Sequence, residues 1–411
     1  MHGVFTVFGD SLYSLRLPSV LAMACAAVVV THLGSRLAGQ HTGLAAGLAF
    51  ALLPAVQEYA QEGRPYALVT ACVALACRLL VAAVDNPSKG RWAAYGTTVL
   101  MAALLNWFSL LMLLAHAVTI ALARPTRATV LRWTCAACAA VAGTLPLIVV
   151  SQTQAGQIAW IPPTRTSTLL GLALTLLAGV LCAWLARSRT ANRVPGPSRI
   201  TLTALALPLL VVPPLLLAGV SVARPVYQAR YILFSHVGLA LLLGAACHAV
   251  ASRVRTSPHR TVAVVMVLAF LGLLPVQVSL RSASGRIDDV LSTAKNVAAV
   301  REPGDAVLYI PADRRDTAVV SPGAFTGADD VALVENPLGS GTLNGVEGTP
   351  QQIADAMLTA RRIVVVTDAS ASPPTTARDR TKQQVLKAHF IRCSERSERG
   401  RKVLVYRRRP G

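Results

Sequence analysis

Ten apolar runs occupy most of the first 280 residues of this 411-residue chain. Runs of about 17–25 apolar residues are long enough to cross a lipid bilayer as helices. The sequence predicts spans near residues 17–34, 43–60, 66–84, 92–105, 107–123, 129–150, 167–186, 200–220, 231–251 and 260–280. We therefore expect an integral membrane protein that crosses the bilayer about ten times.

The sequence predicts an interruption of the helix at two places within these runs. The stretch 92–123 is too long for one crossing, and Asn106-Trp107 near its middle suits a tight turn, so we predict two spans there. Pro213-Pro214 lies inside the span predicted at 200–220. Proline removes a backbone donor and clashes with the preceding turn, so we expect this helix to kink or break.

Charge divides the chain into two parts. Charged residues make up 14% of the whole, against about 25% in a typical soluble domain. Residues 1–280 contain only four of the 19 acidic residues, and the other 15 lie in 281–411. The sequence therefore predicts a transmembrane domain over 1–280 and a separate soluble domain over 281–411.

The second domain has the pattern of a small α/β fold. Short β-rich runs at 307–310, 363–367 and 403–406 alternate with helical patterns near 286–300, 350–360 and 378–389. It contains no phosphate-binding glycine loop after a strand and no catalytic triad motif. The predicted fold class is thus an all-α polytopic membrane bundle of about ten transmembrane helices, followed by a small soluble α/β domain.

Lysine and arginine are distributed unevenly between alternate loops of the first domain. One set of loops carries Arg36, Lys89, Arg91, Arg124, Arg127, Arg132, Arg187, Arg189, Arg193, Arg199, Arg253, Arg255 and Arg260. The other carries only Arg16, Arg64, Arg165, Arg224 and Arg230. Because cytoplasmic loops carry the excess of positive charge, the first set is predicted to be cytoplasmic. With ten spans, both termini and the second domain then lie outside.

The net charge of +20 does not indicate nucleic-acid binding. The basic residues lie in short loops between apolar runs, and no basic-aromatic nucleic-acid motif is present. Cys135 and Cys138 form a C-x-x-C pair without a second pair at metal-ligand spacing, so we interpret them as packing residues. No cofactor is predicted, and the sequence does not decide whether a divalent metal takes part.

Rare acidic residues mark the strongest candidate site, the segment Gln57–Leu68 at the outer end of the second predicted span. Glu58 and Glu62 are four residues apart, so we expect both on one helical face. Arg64 follows in the turn, and Pro65 is placed to begin the next helix. Charge beside a span is costly and calls for an explanation. The alternative interpretation is a surface loop with an internal Glu–Arg pair.

Two further outer loops are polar and aromatic. One contains Gln157 and Trp160, and the other contains Tyr227, Arg230 and Tyr231. An arginine fork suits a phosphate, while tyrosine and tryptophan suit a sugar face or the membrane interface. The alternative for both loops is an interfacial aromatic belt in which arginine is an anchor.

Together these features resemble the polytopic glycosyltransferases with the C-type fold, which include glycosyltransferase family 39 and the protein mannosyltransferases. Four features carry the resemblance: Arg16-Leu17-Pro18-Ser19 at the start of a span, the segment Gln61–Leu68, the pair Arg230-Tyr231, and the α/β region at the end. It covers roughly residues 1–280, and the Ala/Val/Arg-rich usage is similar to that of a high-GC actinobacterium.

The resemblance implies a sugar donor on a polyprenyl phosphate and chemistry on the outer face, with inversion at the anomeric carbon. It implies a cell-envelope glycan, lipid or protein as the acceptor. Such a reaction needs a carboxylate base for the acceptor hydroxyl and cations for the departing phosphate. The candidate bases are Glu58, Glu62 and Asp10. The candidates for contacts to donor phosphate and sugar are Arg64, Tyr66, Gln157, Trp160, Tyr227, Arg230 and Tyr231.

One departure from the family concerns the base, which in the family is an acid in the first outer loop. Asp10 is the only acid near that position and does not match it. Residues 1–16 also lack a signal peptide although they are predicted to lie outside. We therefore expect a chain that lacks the family's first helix and first-loop acid, and that is inactive unless Glu58 or Glu62 replaces the missing base.

Two other functions remain open at this level. A transporter or lipid flippase also uses kinked helices and rare buried charges. Against it, the acids of the first domain cluster at one outer rim and none is predicted at mid-membrane. The other is a noncatalytic membrane protein whose second domain binds a partner.

Overall fold

The computed structural model describes residues 12–153, 164–190, 198–253, 257–282, 289–342, 344–370, 374 and 376–410. The chain divides into two compact units, Met1–Val278 and Ser279–Gly411. The first is helical, and the second is built on a five-stranded sheet.

Helices account for almost all of the described residues up to 281. They are α1 (Leu12–Ala38), α2 (Gln40–Leu52), α3 (Pro54–Tyr59), α4 (Tyr66–Asp85), α5 (Lys89–Leu105), α6 (Leu111–Ala123), α7 (Arg127–Thr153), α8 (Thr166–Thr190), α9 (Leu202–Ala223), α10 (His236–Ala251) and α11 (Pro258–Arg281), with 3₁₀ turns at Trp107–Leu110 and Ala229–Ser235. A helix lies at each of the ten predicted positions, so the predicted fold class is confirmed.

Within the described residues, seven helices are long and apolar enough to cross a membrane. They are Leu15–Ala38, Tyr66–Asp85, Arg127–Gln152, Thr166–Arg187, Leu202–Ala223, Ala229–Ala251 and Arg260–Arg281. Trp107–Ala123 is apolar but shorter. The protein is therefore a multi-pass membrane protein, although three of the ten predicted spans are shorter than this length.

The span predicted at 43–60 is wrong at its carboxyl end. Helix α2 ends at Leu52, and Leu53 adopts extended dihedral angles (φ −58°, ψ 126°). Proline disfavours helical geometry in the residue before it, and Pro54 begins the separate six-residue helix α3. Residues 54–59 consequently do not continue helix α2.

The two predicted breaks have different outcomes. Helix α5 ends at Leu105, and Asn106 is extended before the 3₁₀ turn that leads into α6, so the split of 92–123 is confirmed. Helix α9, in contrast, runs without interruption through Pro213 and Pro214, so the expected break does not occur. Both prolines are buried, and the protein packed around them holds the helix where backbone hydrogen bonds are lost.

Small residues bring α1, α2 and α10 close together. A Cβ atom at Gly34 of α1 would lie 2.7 Å from the Cα of Gly43 in α2. A Cβ at Gly244 of α10 would lie 2.6 Å from the backbone nitrogen of Ala46 in α2. Glycine is thus required at both contacts, as in membrane helices that associate through close backbone approach.

Asp85 joins three separate segments at one end of this unit. Its Oδ2 accepts a hydrogen bond from Arg36 Nη2 at 2.8 Å, and its Oδ1 accepts bonds from Ser198 Oγ and the Arg199 amide at 3.0 Å each. The Asp85 side chain is only 5% exposed. Arg36 and Arg199 are both predicted on the cytoplasmic side of the membrane, and in the structure both contact this carboxylate.

The second unit combines parallel and antiparallel pairing. Its strands are β1 (Ala306–Ile310), β2 (Asp329–Asp330), β3 (Leu333–Glu335), β4 (Val346–Glu347), β5 (Arg362–Asp368), β6 (Phe390–Glu398) and β7 (Arg401–Arg408). The main sheet has the order β2-β1-β5-β7-β6, in which β1 is parallel to β2 and β5 while β7 is antiparallel to both neighbours. Strands β3 and β4 form a separate hairpin.

Helices cover both faces of the main sheet, with one apolar cluster on each. The described helices of this unit are α12 (Val290–Val300), α13 (Asp316–Val320), α14 (Pro337–Ser340), α15 (Pro350–Thr359) and α16 (Ala377–His389), of which α12, α13, α15 and α16 contribute to these clusters. All three predicted strands and all three predicted helices are present. Strand β6 was not predicted, because its sequence is polar and its nine residues pair only with β7 at the sheet edge.

A buried ionic network fixes the β3–β4 hairpin to the rest of the second unit. Glu347 of β4 accepts hydrogen bonds from Lys382 Nζ at 2.8 Å and from Arg315 Nη2 at 2.9 Å. Lys382 also lies 3.3 Å from Asp379, and Arg315 Nε donates to Asp330 at 2.6 Å. Lys382 is fully buried and Arg315 nearly so, and each retains more than one acidic partner, as buried charges require.

Candidate functional site

The acidic segment forms a compact turn between α3 and α4. Helix α3 ends at Tyr59, and Gln57 folds back so that its Nε2 donates to the Ala51 carbonyl at 2.5 Å. Glu58 therefore lies on a helix and Glu62 in the turn that follows. The expectation that both glutamates share one helical face is wrong, because the helix that contains Glu58 stops one residue after it.

This turn is fastened to α1. Ser19 Oγ donates a 2.6 Å hydrogen bond to the backbone carbonyl of Glu62, and Ser19 is almost fully buried. At Gly63 a Cβ would lie 2.5 Å from Leu15 Cδ1, so any other residue would force the Leu15 side chain of α1 to move. The two motifs that begin at Arg16 and Gln61 in the sequence are thus in direct contact in the fold.

Tyrosine rings connect the turn to the late Arg230-Tyr231 segment. Tyr59 and Tyr66 have ring centroids 6.0 Å apart, and Tyr66 and Tyr231 are also separated by 6.0 Å. The guanidinium carbon of Arg230 lies 5.9 Å from the Tyr66 ring and 5.7 Å from the Tyr231 ring. These distances are within the range of cation–π attraction, so the two rings hold the Arg230 guanidinium beside the turn.

An aromatic stack continues from Tyr231 on its other side. Phe108 is stacked on Tyr231 with centroids 4.7 Å apart and an interplanar angle of 9°, and Trp107 is stacked on Phe108 at 4.0 Å. The Asn106 side chain accepts a hydrogen bond from the Phe108 amide at 3.1 Å and so fixes the 3₁₀ turn. Sequence reasoning missed Phe108, Trp107 and Tyr59 as members of this cluster.

The predicted acids occupy different environments. Glu58 is exposed, yet partial burial raises the pKa of its carboxyl, and repulsion from Glu62 raises it further. Glu62 is half-buried, and its Oε2 is buried without a hydrogen-bond partner among the described residues. Glu58, Glu62 and Arg230 are all close enough to Tyr59 for their charges to act on its hydroxyl.

The internal Glu–Arg pair that we considered as an alternative does not form in the described structure. Arg64 is exposed, and among the described residues no ion pair joins it to Glu58 or Glu62. Its charge instead acts on Tyr66, together with the charges of Arg230 and Glu62. The charges of Glu62 and Arg230 therefore act on both Tyr59 and Tyr66, and the charge of Arg64 acts on Tyr66.

Tyr227 has a different place. It is buried against Leu217 and Ile232, and its amide donates to Ser221 Oγ at 3.2 Å. The structure therefore brings Glu58, Glu62, Arg64, Tyr66, Arg230 and Tyr231 together, with Tyr227 packed beneath.

Three predicted site residues, Asp10, Gln157 and Trp160, lie outside the described residues. Within the described part of the chain, no group of three or more His, Cys, Asp or Glu side chains is arranged to hold a metal ion. The described site is therefore one of acids, arginines and aromatic rings.

A polytopic helical unit followed by a small sheet domain is the architecture of the C-type glycosyltransferase fold. A family model described as dolichyl-phosphate-mannose-protein mannosyltransferase matches residues 1–152. ArnT from Cupriavidus metallidurans in the apo state is similar over 98% of this chain and 85% of its own, with a TM-score of 0.57 and 12% identity. The resemblance stated from the sequence is confirmed by these matches.

Two further solved structures complete the comparison. ArnT from the same organism bound to undecaprenyl phosphate has a TM-score of 0.57 and 13% identity, with the same coverage of 98% and 85%. The arabinofuranosyltransferase AftD from Mycobacteria has a TM-score of 0.44 and 17% identity, covering 96% of this chain and 35% of its own. No curated protein matches the sequence.

Proposed function

We propose that the protein is a membrane glycosyltransferase that moves a mannose-like sugar from a polyprenyl-phosphate donor to a cell-envelope acceptor. The reaction takes place at the outer face, where the second unit also lies. The acceptor is a glycan, a lipid or a protein of the envelope. The experiment below distinguishes transfer from transport, because only a transferase consumes the donor.

The observation that carries this proposal is that the carboxylate of Glu62 and the guanidinium of Arg230 both lie close enough to Tyr59 and Tyr66 for their charges to act on the same two phenols. Glu62 Oε2 is buried and has no hydrogen-bond partner among the described residues. Arg230 is held near the rings of Tyr66 and Tyr231. A carboxylate that accepts a proton and a cation that holds an anion are the two groups needed when a hydroxyl displaces a phosphate.

The roles divide accordingly. Glu62 and Glu58 are the candidate bases, and the raised pKa of the Glu58 carboxyl makes it a stronger proton acceptor than an ordinary glutamate. Arg64 and Arg230 bind the donor phosphate, and Tyr66 and Tyr231 form the wall against which the sugar or phosphate lies. The undecaprenyl phosphate bound to ArnT supports a lipid phosphate as the ligand for this fold.

The test is donor binding and donor consumption by the purified chain. A charge-assisted contact to phosphate contributes about 1.5–3 kcal/mol, so Arg64→Ala or Arg230→Ala should each weaken binding of a polyprenyl-phosphate analogue about ten- to a hundredfold. Arg224→Ala is the matched control, because Arg224 is an exposed arginine predicted on the same side. Unchanged binding in both site variants would reject the phosphate assignment.

The same preparations test the chemistry. With radiolabelled polyprenyl-phosphate mannose and an envelope extract as the acceptor, Glu62→Gln should bind donor normally but transfer sugar about 10²–10⁴-fold more slowly, the usual contribution of a general base. Binding without any donor consumption by the unaltered chain would favour transport over transfer.

A further inference from the structure

A small cavity lies between α16 and the main sheet of the second unit. Its volume is about 170 Å³, and its floor is formed by aliphatic side chains of β1, β5, β7 and α16. Polar groups stand around this floor: Thr367, Gln383, Lys387 and the phenol of Tyr406. The pocket is half open to solvent and has room for several water molecules, so a group the size of one six-membered sugar ring can enter it.

Exposed basic side chains gather at the end of this cavity. The Arg408 amide donates to the Arg361 carbonyl at 2.9 Å, and the Arg409 amide donates to the His389 carbonyl at 2.9 Å. Arg409 Nη2 also donates to the backbone carbonyl of Lys387 at 3.1 Å. These bonds place five exposed basic residues side by side, and we call them the basic rim: Arg361, Lys387, His389, Arg408 and Arg409.

The basic rim and the cavity are parts of one surface. Lys387 belongs to both. Side chains alternate between the faces of a strand, so Leu404, Tyr406 and Arg408 of β7 share a face. Leu404 and Tyr406 line the cavity, which puts Arg408 on the same face immediately beyond the Tyr406 ring.

The rim is unbalanced in charge. Among the described residues, ion pairs join other basic side chains of the second unit to acids, as in Arg362–Asp305 and Arg392–Glu395. No described acid pairs with a member of the rim. A solvated surface usually mixes both signs, whereas a one-sign cluster beside a pocket attracts an anion.

We propose that the cavity and the basic rim bind a carboxylate- or phosphate-bearing sugar residue of an anionic envelope glycan. The sugar ring lies in the cavity against Tyr406, and its acidic group meets Lys387 and Arg408. Gln383 and Thr367 are the hydrogen-bond partners for ring hydroxyls. This assignment concerns the second unit alone and does not depend on the transfer reaction proposed for the first.

The experiment uses the full-length chain in detergent and two probes, tetragalacturonate for carboxylate and glucose 6-phosphate for phosphate. The unaltered protein should bind at least one probe in calorimetry, and salt should weaken the binding because the charges are exposed. The double variant Lys387→Ala/Arg408→Ala should weaken it about tenfold or more. Arg380→Ala/Arg396→Ala removes the same charge from exposed positions of α16 and β6 outside the rim and should bind normally.

The alternative outcomes decide against the proposal. Failure of both probes to bind, or equal weakening by the two double variants, would overturn it. Equal binding of neutral maltotetraose would remove the anionic requirement. The last measurement is hydrogen exchange of residues 387–409 in nanodiscs of anionic lipid without any glycan. Slower exchange under these conditions would show that the rim binds the membrane surface and would overturn the proposal.

The variant Tyr406→Leu tests the contribution of the cavity to binding while the charges of the rim are kept. This change keeps an apolar side chain but removes the ring and its hydroxyl, so binding should fall about threefold to tenfold while the salt dependence stays the same. The melting temperature of the variant shows whether the partly buried site still folds. A folded Tyr406→Leu protein with unchanged affinity would restrict the contact to the rim and overturn the sugar assignment.

Discussion

Neutralising Glu347 should loosen the second unit, because this carboxylate lies between two buried cations. Glu347→Gln keeps the shape of the side chain and removes its charge. Lys382 would retain Asp379 at 3.3 Å and the Tyr309 carbonyl at 2.9 Å, and Arg315 would retain Asp330 at 2.6 Å. Breaking a buried ion pair costs about 3–5 kcal/mol, and the remaining partners place the expected loss near the lower end, about 3 kcal/mol.

Hydrogen exchange of the full-length chain measures this loss locally. A free-energy loss of about 3 kcal/mol should accelerate exchange in the segments that contain β4 and α16 about a hundredfold, since each 1.4 kcal/mol is a factor of ten. Glu335→Gln is the control, because Glu335 is an exposed acid of the same hairpin. If exchange in Glu347→Gln remained within about threefold of that control, the reasoning from burial and pairing would be refuted.

A double-mutant cycle isolates the contact itself. Lys382→Met removes the cation that lies 2.8 Å from both carboxylate oxygens of Glu347. The double variant Glu347→Gln/Lys382→Met should then be less destabilised than the sum of the single changes, by about 1–3 kcal/mol. Additive losses would show that the two residues act on stability independently.

Two further predictions concern the membrane unit. The raised pKa of Glu58 means that folding disfavours its ionised form, and this penalty is present at pH 7.5 but vanishes below the ordinary pKa of 4.5. Glu58→Gln should therefore raise the melting temperature at pH 7.5 and leave it unchanged below pH 4.5. Equal melting temperatures of the variant and the unaltered protein at pH 7.5 would contradict this prediction. Alkaline phosphatase fused after residue 285 should be active, whereas a fusion after Pro125 should be inactive, and a well-expressed but inactive fusion at 285 would contradict an outer second unit.

Much of the fold was accessible from the sequence because lipid imposes strong rules. The apolar runs and the turn at Asn106 are local signals, and each has its counterpart in the structure. What failed depends on contacts between distant residues. Helix α9 survives Pro213 and Pro214 through burial, and β6 is a strand only because β7 supplies its hydrogen bonds.

The candidate site shows the same limit. The scarcity of acidic residues in the first domain predicts Glu58 and Glu62 as site residues, and the adjacent arginine and tyrosine predict Arg230. Phe108 could not be found this way, because it joins Tyr231 across more than a hundred residues and carries no charge. The only signal in the sequence is indirect: Phe108 directly follows Asn106-Trp107, where a tight turn is predicted.

The carboxylate of Asp85 also has a consequence for how the chain is made. Ser198, one of its partners, follows it by 113 residues, while Arg36 precedes it by 49. At a synthesis rate of about 5–20 residues per second, roughly 6–23 s pass between the appearance of Asp85 and that of Ser198. Throughout this interval Arg36 is the partner already available, so the contact between α1 and α4 neutralises the charge until Ser198 and Arg199 are made.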